Sequence, residues 1–354
     1  MPKRKEPLSE EEIAAITLET KLKTEVMYAI QKARIAADLR IQAFVRDKRM
    51  TEVKAKALHM WLSDMASGME KHVNGEVRVL LKDVPIYNRW LVNVYGVSTA
   101  LSGSLIAGIG DISRFEKASS LWKYCGLDVI HWCDTCHMPA PPDLKVTTGD
   151  VCPMCRKGEF IGEAPRRMSG QKIHWSPFLR STVYKITESI VRAVRAPEKN
   201  FYRKLYEERK ARHQEEHPEC RICYKCGAPL VEHERVRVKK VNKKTGKETE
   251  EWYKKQDECP TKGCKGNHGG STHPFRKTKA GDPLYRYSKG HIHRMAKRYM
   301  GKVFMLHLWL IWRSIEGLPI SGPWIIEHGG HIHFTQPPHW EPFDIGKSGE
   351  VVTP

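Results

Sequence analysis

Residues 95–115 read Tyr95-Gly-Val-Ser-Thr-Ala-Leu-Ser-Gly-Ser-Leu-Ile-Ala-Gly-Ile-Gly-Asp-Ile-Ser-Arg-Phe115. The turn Val94–Ser98 leads into a small, apolar run that predicts a helix from Thr99 to Ile106, and Gly108-Ile109-Gly110-Asp111 follows it. A glycine turn at a helix N-terminus exposes backbone amides that can hold a phosphate. Two helices joined in this way form a helix-hairpin-helix, which grips a duplex backbone without reading bases. Gly96, Ser98, Thr99, Gly108 and Gly110 are the contacts this reading selects. The competing reading is a helix packed tightly on its glycines.

Toward the N-terminus the chain is helical. Ser9 and Glu12 make a capping box, and no Gly or Pro interrupts the sequence between Pro7 and Gly68. Leu58, Leu62, Met65 and Met69 recur at helical steps and mark an apolar stripe for core or dimer packing. Residues 1–83 therefore read as a helical pair or coiled coil, and 84–128 as the helix-hairpin-helix core. Beyond them lie a cysteine-bearing insertion at 129–165, continued helical core at 166–217 and a second insertion at 218–275. The helical core ends at 276–320, and an irregular Pro-, Gly-, His- and Trp-rich tail covers 321–354. The fold class is mainly α, with two small β modules inserted.

Eight of the ten cysteines are paired in spacing. Cys133 and Cys136, with Cys152 and Cys155, form two Cys-x2-Cys knuckles at zinc-ribbon spacing. Four thiolates close a tetrahedral site with no open position, which builds structure and does not catalyse. Cys223 and Cys226, with Cys259 and Cys264, form a second set. Between them Val236 to Tyr253 reads as a basic hairpin closed at Thr245-Gly246. Cys220, His268 and His273 offer alternative ligands there, and Cys125 reads as a core thiol. Two structural zinc ions are expected. The pairs His291/His293 and His331/His333 read as hydrogen-bonding and stacking groups.

Lys and Arg total 60 against 41 Asp and Glu, a net charge of +19. That excess favours a polyanion partner over a small neutral metabolite. The most apolar run, Val303 to Trp312, contains His307 and is too short to span a bilayer. Met1-Pro-Lys-Arg-Lys-Glu reads as a solvated basic tail, not a secretory signal. The expectation is a cytoplasmic, nucleic-acid-associated protein with no membrane partner.

Taken whole, residues 95–115, with Leu121-Trp-Lys-Tyr-Cys-Gly-Leu-Asp128, resemble the carboxy-terminal domain of the one-ten group of insertion-sequence transposases. These are RNA-guided recombinases with a RuvC-like amino-terminal domain and a serine-bearing helix-hairpin-helix domain. Arg166-Arg-Met-Ser169-Gly170, leading to Phe178-Leu-Arg180, resembles that family's Ser-Gly and basic helix, and Ser288 to Lys297 resembles a later segment. The likeness covers about 50–128, 164–200 and 285–310. It implies Ser169 as a nucleophile that attacks a DNA phosphodiester, with Arg166, Arg167, Lys172 and His174 stabilising phosphate charge. Arg180, Lys289 and Arg294 join the implied DNA contacts. The chain departs from the family at two points: Ser98 stands where a second hairpin glycine is usual, and the helical first 90 residues hold no counterpart of the RuvC-like domain. The expected function is a DNA-binding protein for duplex or junction that is not an autonomous enzyme. The alternative is a transposase using Ser169, with magnesium held by acidic residues of a partner. RNA as a partner is open in both readings, as is self-association through the amino-terminal helices.

Overall fold

The computed structural model describes residues 9–141, 144, 146, 149–165, 173–223, 226–231, 233, 235–241, 248–254, 258–264, 287, 289–320, 334–345 and 351–352. Among them are eight α-helices and three two-stranded antiparallel sheets, so the fold is mainly α. No helix among the described residues is long and apolar enough to cross a membrane. Two compact units are present, 1–204 with 300–354, and 205–299.

The first unit begins with α1 (Glu10–Arg46) and α2 (Glu52–Leu81). Ser9 accepts from the Glu12 N–H, and the Glu12 carboxylate takes the Ser9 N–H at 2.9 Å, so the capping box is present. Lys23 pairs with Glu76, Arg34 with Glu70 and Asp38 with His59. Partners rise along α1 as they fall along α2, which makes the pair antiparallel. The stripe expected for core or dimer packing does not line the core of the single chain. Met65 and Met69 are 54% and 52% exposed, whereas the inward seam runs through Ala55, His59, Ala66, Glu70, Val77 and Leu81. Small residues and ion pairs bring the two backbones together, and the long thioethers are left on the flank.

α3 (Pro85–Arg89), α4 (Thr99–Ile109) and α5 (Ala118–Tyr124) follow, and α4 packs on α1, α2 and α6 (Pro177–Arg192). Glycines set those approaches. A Cβ on Gly103 would lie 2.9 Å from Val77 Cγ1, and one on Gly108 would lie 2.5 Å from Leu179 Cδ2. α8 (Lys289–Ile315) is buried all round from Phe304 to Trp312, the mark of a central helix. Trp309 and Arg313 of this helix both donate to the Phe115 carbonyl, and Arg313 also reaches the carbonyls of Ile112 and Pro319. This buried guanidinium locks the turn after α4 through backbone carbonyls. Trp90 stacks on Phe304 and donates to the Pro338 carbonyl at 2.9 Å.

The sheets are small. β1 (Ile130–Cys133) pairs with β2 (Phe160–Glu163) in the first insertion, and β3 (Arg235–Val241) pairs with β4 (Glu248–Lys254) in the second. The second is the expected basic hairpin; Thr245 and Gly246 lie outside the described residues. The tail is not wholly irregular: β5 (Asp344–Ile345) pairs with β6 (Val351–Val352). Only two residue pairs make that ladder, too few to leave a periodic signal in sequence.

Candidate metal centres and nucleic-acid interface

Both predicted thiolate sets are assembled. In each, the four Sγ atoms lie within 4.8 Å of one another. In the first, Cys133 approaches Cys155 at 3.5 Å and Cys136 approaches Cys152 at 3.7 Å. In the second, Cys226–Cys259 and Cys223–Cys264 are at 3.3 and 3.8 Å. Cys220 stays out of this set and is buried in a short turn. His268 and His273 lie outside the described residues.

The knuckles share one backbone device. The residue after each Cys-x2-Cys adopts positive φ and donates its N–H to the first cysteine's carbonyl: His137 to Cys133, Arg156 to Cys152, Gly227 to Cys223. This bend turns both sulfurs of a pair to one side. Gly158 completes the first site, because a Cβ there would sit 2.6 Å from Cys133 Sγ. The thiols are pulled in opposite directions. The N–H groups of Lys157 and Gly158 lower Cys155 to about 6, and the Thr261 hydroxyl with the Ala228 N–H lowers Cys226 to about 6. Cys136, although drawn down by the Met138 N–H, is pushed up to about 12 by burial and the other three thiols. A single soft cation would take all four sulfurs as thiolates and relieve that crowding. Each set therefore fits one structural metal ion.

At the hairpin, Gly96 has φ +90°, and a Cβ on it would meet the Ile190 Cα at 2.9 Å. Gly96 and Gly108 thus serve close packing against α6, and Gly110, with φ +71° and open space around it, ends α4. Ser98 caps α4, its hydroxyl accepting from the Leu101 N–H at 3.3 Å. The Thr99 hydroxyl meets that of Tyr87. The N–H groups of Ser98, Thr99 and Ala100 have no acceptor among the described residues, and Ser98 is exposed.

Arg180 is placed differently from a free phosphate contact. Its guanidinium donates to the Pro165 carbonyl and lies over the Trp175 ring, and burial lowers its pKa. Arg166, Arg167, Ser169 and Lys172 lie outside the described residues. Lys289 opens α8 and Arg294 is exposed on it, both in the second unit. Arg114, which sequence reading did not select, is exposed beyond α4 with its guanidinium over the rings of Phe115 and Tyr124. The Arg-Phe dipeptide was the only signal for it, and spacing gives such a pair no direction. No family profile matches this chain, and no curated protein does.

Proposed function

We propose that this chain is a nucleic-acid-binding protein, related to the carboxy-terminal domain of the one-ten group of insertion-sequence transposases, that grips the phosphate backbone of duplex or junction DNA. The observation that carries the reading is the start of α4, where three unclaimed amides sit behind an exposed Ser98 on a turn pressed onto α6. Helix dipole and amides together attract a phosphate there, and the +19 charge supplies the long-range attraction. Zinc is the metal that four thiolates at this spacing select, one ion per set. Ser98→Asp is the sharpest test. Aspartate preserves the cap but puts a carboxylate where the phosphate would sit. Duplex affinity should fall about ten-fold or more in a native gel shift, whereas Ser98→Gly binds as wild type. Equal binding by all three would overturn the reading.

The recombinase alternative rests on the likeness of Arg166-Arg-Met-Ser169-Gly170 to that family's Ser-Gly segment. If Ser169 attacks DNA, a covalent protein–DNA band should form with magnesium on a denaturing gel and vanish in Ser169→Ala. Free DNA in both lanes would sink this alternative.

A further inference from the structure

α1 and α6 leave between them an open groove of about 450 Å³, whose two rings meet α4 at Ser104 and Gly108, one and two or more turns past its start. Tyr28 and Phe178 meet in it edge to face, ring centres 6.1 Å apart at 84°. The two rings thus stand at right angles to each other. The Lys185 ammonium lies 3.9 Å from the centre of the Tyr28 ring, and Lys32 stands one helical turn beyond Tyr28. Gln31 and Ser181 add an amide and a hydroxyl, Ala29 and Ile35 add apolar walls, and Glu25 is the lone carboxylate.

We infer that this groove binds a single-stranded stretch of nucleic acid, stacking a base on Phe178 beside the Lys185-capped Tyr28 ring, with its phosphates against Lys32 and Lys185. The inference rests on the nucleic-acid reading above but concerns a separate surface. Aromatic faces interleaved with ammonium groups are what single strands use, since every base has a π-face and every linkage a charge. In a duplex the bases are stacked on each other, so the hairpin and the groove take different forms of the polymer. An acidic peptide would satisfy the lysines but leave the two rings without a planar partner.

The test is fluorescence anisotropy of the whole chain with labelled twelve-residue oligo-dT, oligo-U and a matched duplex. Lys32→Ala with Lys185→Ala should lower single-strand affinity about ten-fold and flatten its log–log salt slope by about 1.4, the share of two phosphates on a single strand. Duplex affinity should stay as in wild type. Phe178→Leu keeps the contact with α4 and should also weaken single-strand binding about ten-fold; circular dichroism melts check that each variant is folded. Comparison of oligo-dT with oligo-U identifies DNA or RNA as the source. Unchanged single-strand affinity in the lysine variant overturns the inference, as does an equal loss on duplex. A wild type that binds duplex but no single strand overturns it while the hairpin reading stands, and one that binds neither overturns both.

Discussion

Tyr202 donates its hydroxyl to His307 Nδ1 at 2.8 Å, and His307 Nε2–H donates to the Thr335 carbonyl at 2.7 Å. The imidazole is thereby fixed as the neutral Nε2–H tautomer, and Tyr202, whose burial raises its pKa, stays protonated as donor. Burial lowers His307 to about 4, against 6.5 for the free side chain, a cost that the Thr335 carbonyl only partly offsets. The folded form thus binds a proton later than the unfolded form. Stability from this site is full above pH 6.5 and declines as pH falls from 6.5 toward 4, by about 3 kcal/mol at the limit. Denaturant melts at pH 7.5, 5.5 and 4 should show that decline, and His307→Gln, less stable at neutral pH, should lose most of it. Gly96 makes a second residue-scale case. An added Cβ meets backbone, the Ile190 Cα, which cannot swing aside, and φ +90° disfavours any side chain. Gly96→Ala should cost about 3 kcal/mol by urea denaturation, whereas Gly75→Ala, with open space around it inside α2, should raise stability by about 0.5–1 kcal/mol.

The zinc-ribbon spacing and the capping box of α1 were legible in sequence because each is a local rule: a few residues at fixed spacing satisfy donors or ligands by themselves. The left-handed bends at His137 and Arg156 were not, since Arg avoids positive φ, His adopts it only in a minority of cases, and only Gly227 announces the shared device. Which face of α2 turns inward within one chain was not legible for a related reason. Its inward seam is chosen by Lys23, Arg34 and Asp38 on another helix, and a single-helix pattern holds no such information. The roles of Gly96 and Gly108 likewise depend on where α6 crosses them. At this scale metal content is the decisive measurement. The purified chain should release two zinc ions on denaturation in a colorimetric assay; Cys136→Ser and Cys226→Ser should each release one, and the double variant none. If zinc supports the folding of each insertion, limited proteolysis of Cys136→Ser should cut within 129–165 and spare the second insertion. A variant that keeps both ions would refute four-thiolate ligation at that set.

Across the molecule, exposed apolar surface is concentrated in one place. Of the twenty-one large hydrophobic side chains exposed among the described residues, twelve lie on α1 and α2. Trp61, at 59% exposed, and Leu39, also at 59%, lie far from the α4 end of the hairpin, where Gly103 meets Thr20 and Val77. Scattered single hydrophobics are ordinary on a surface, but a dozen along one helical pair are not. The expected cover is a second copy, because two such α1–α2 pairs side by side would bury apolar flanks over two long helices with no change in either fold. The outcome is measurable without nucleic acid. Sedimentation equilibrium should give a dimer mass for the wild type and a monomer mass for Leu39→Glu with Trp61→Glu, with helical circular dichroism unchanged because both positions are already in water in the single chain. The monomeric variant should bind a single duplex site more weakly and with a smaller salt slope, since halving the number of hairpins on the DNA halves the phosphates neutralised. A wild type that is monomeric at micromolar concentration would assign those flanks to a different partner and leave each hairpin to act alone.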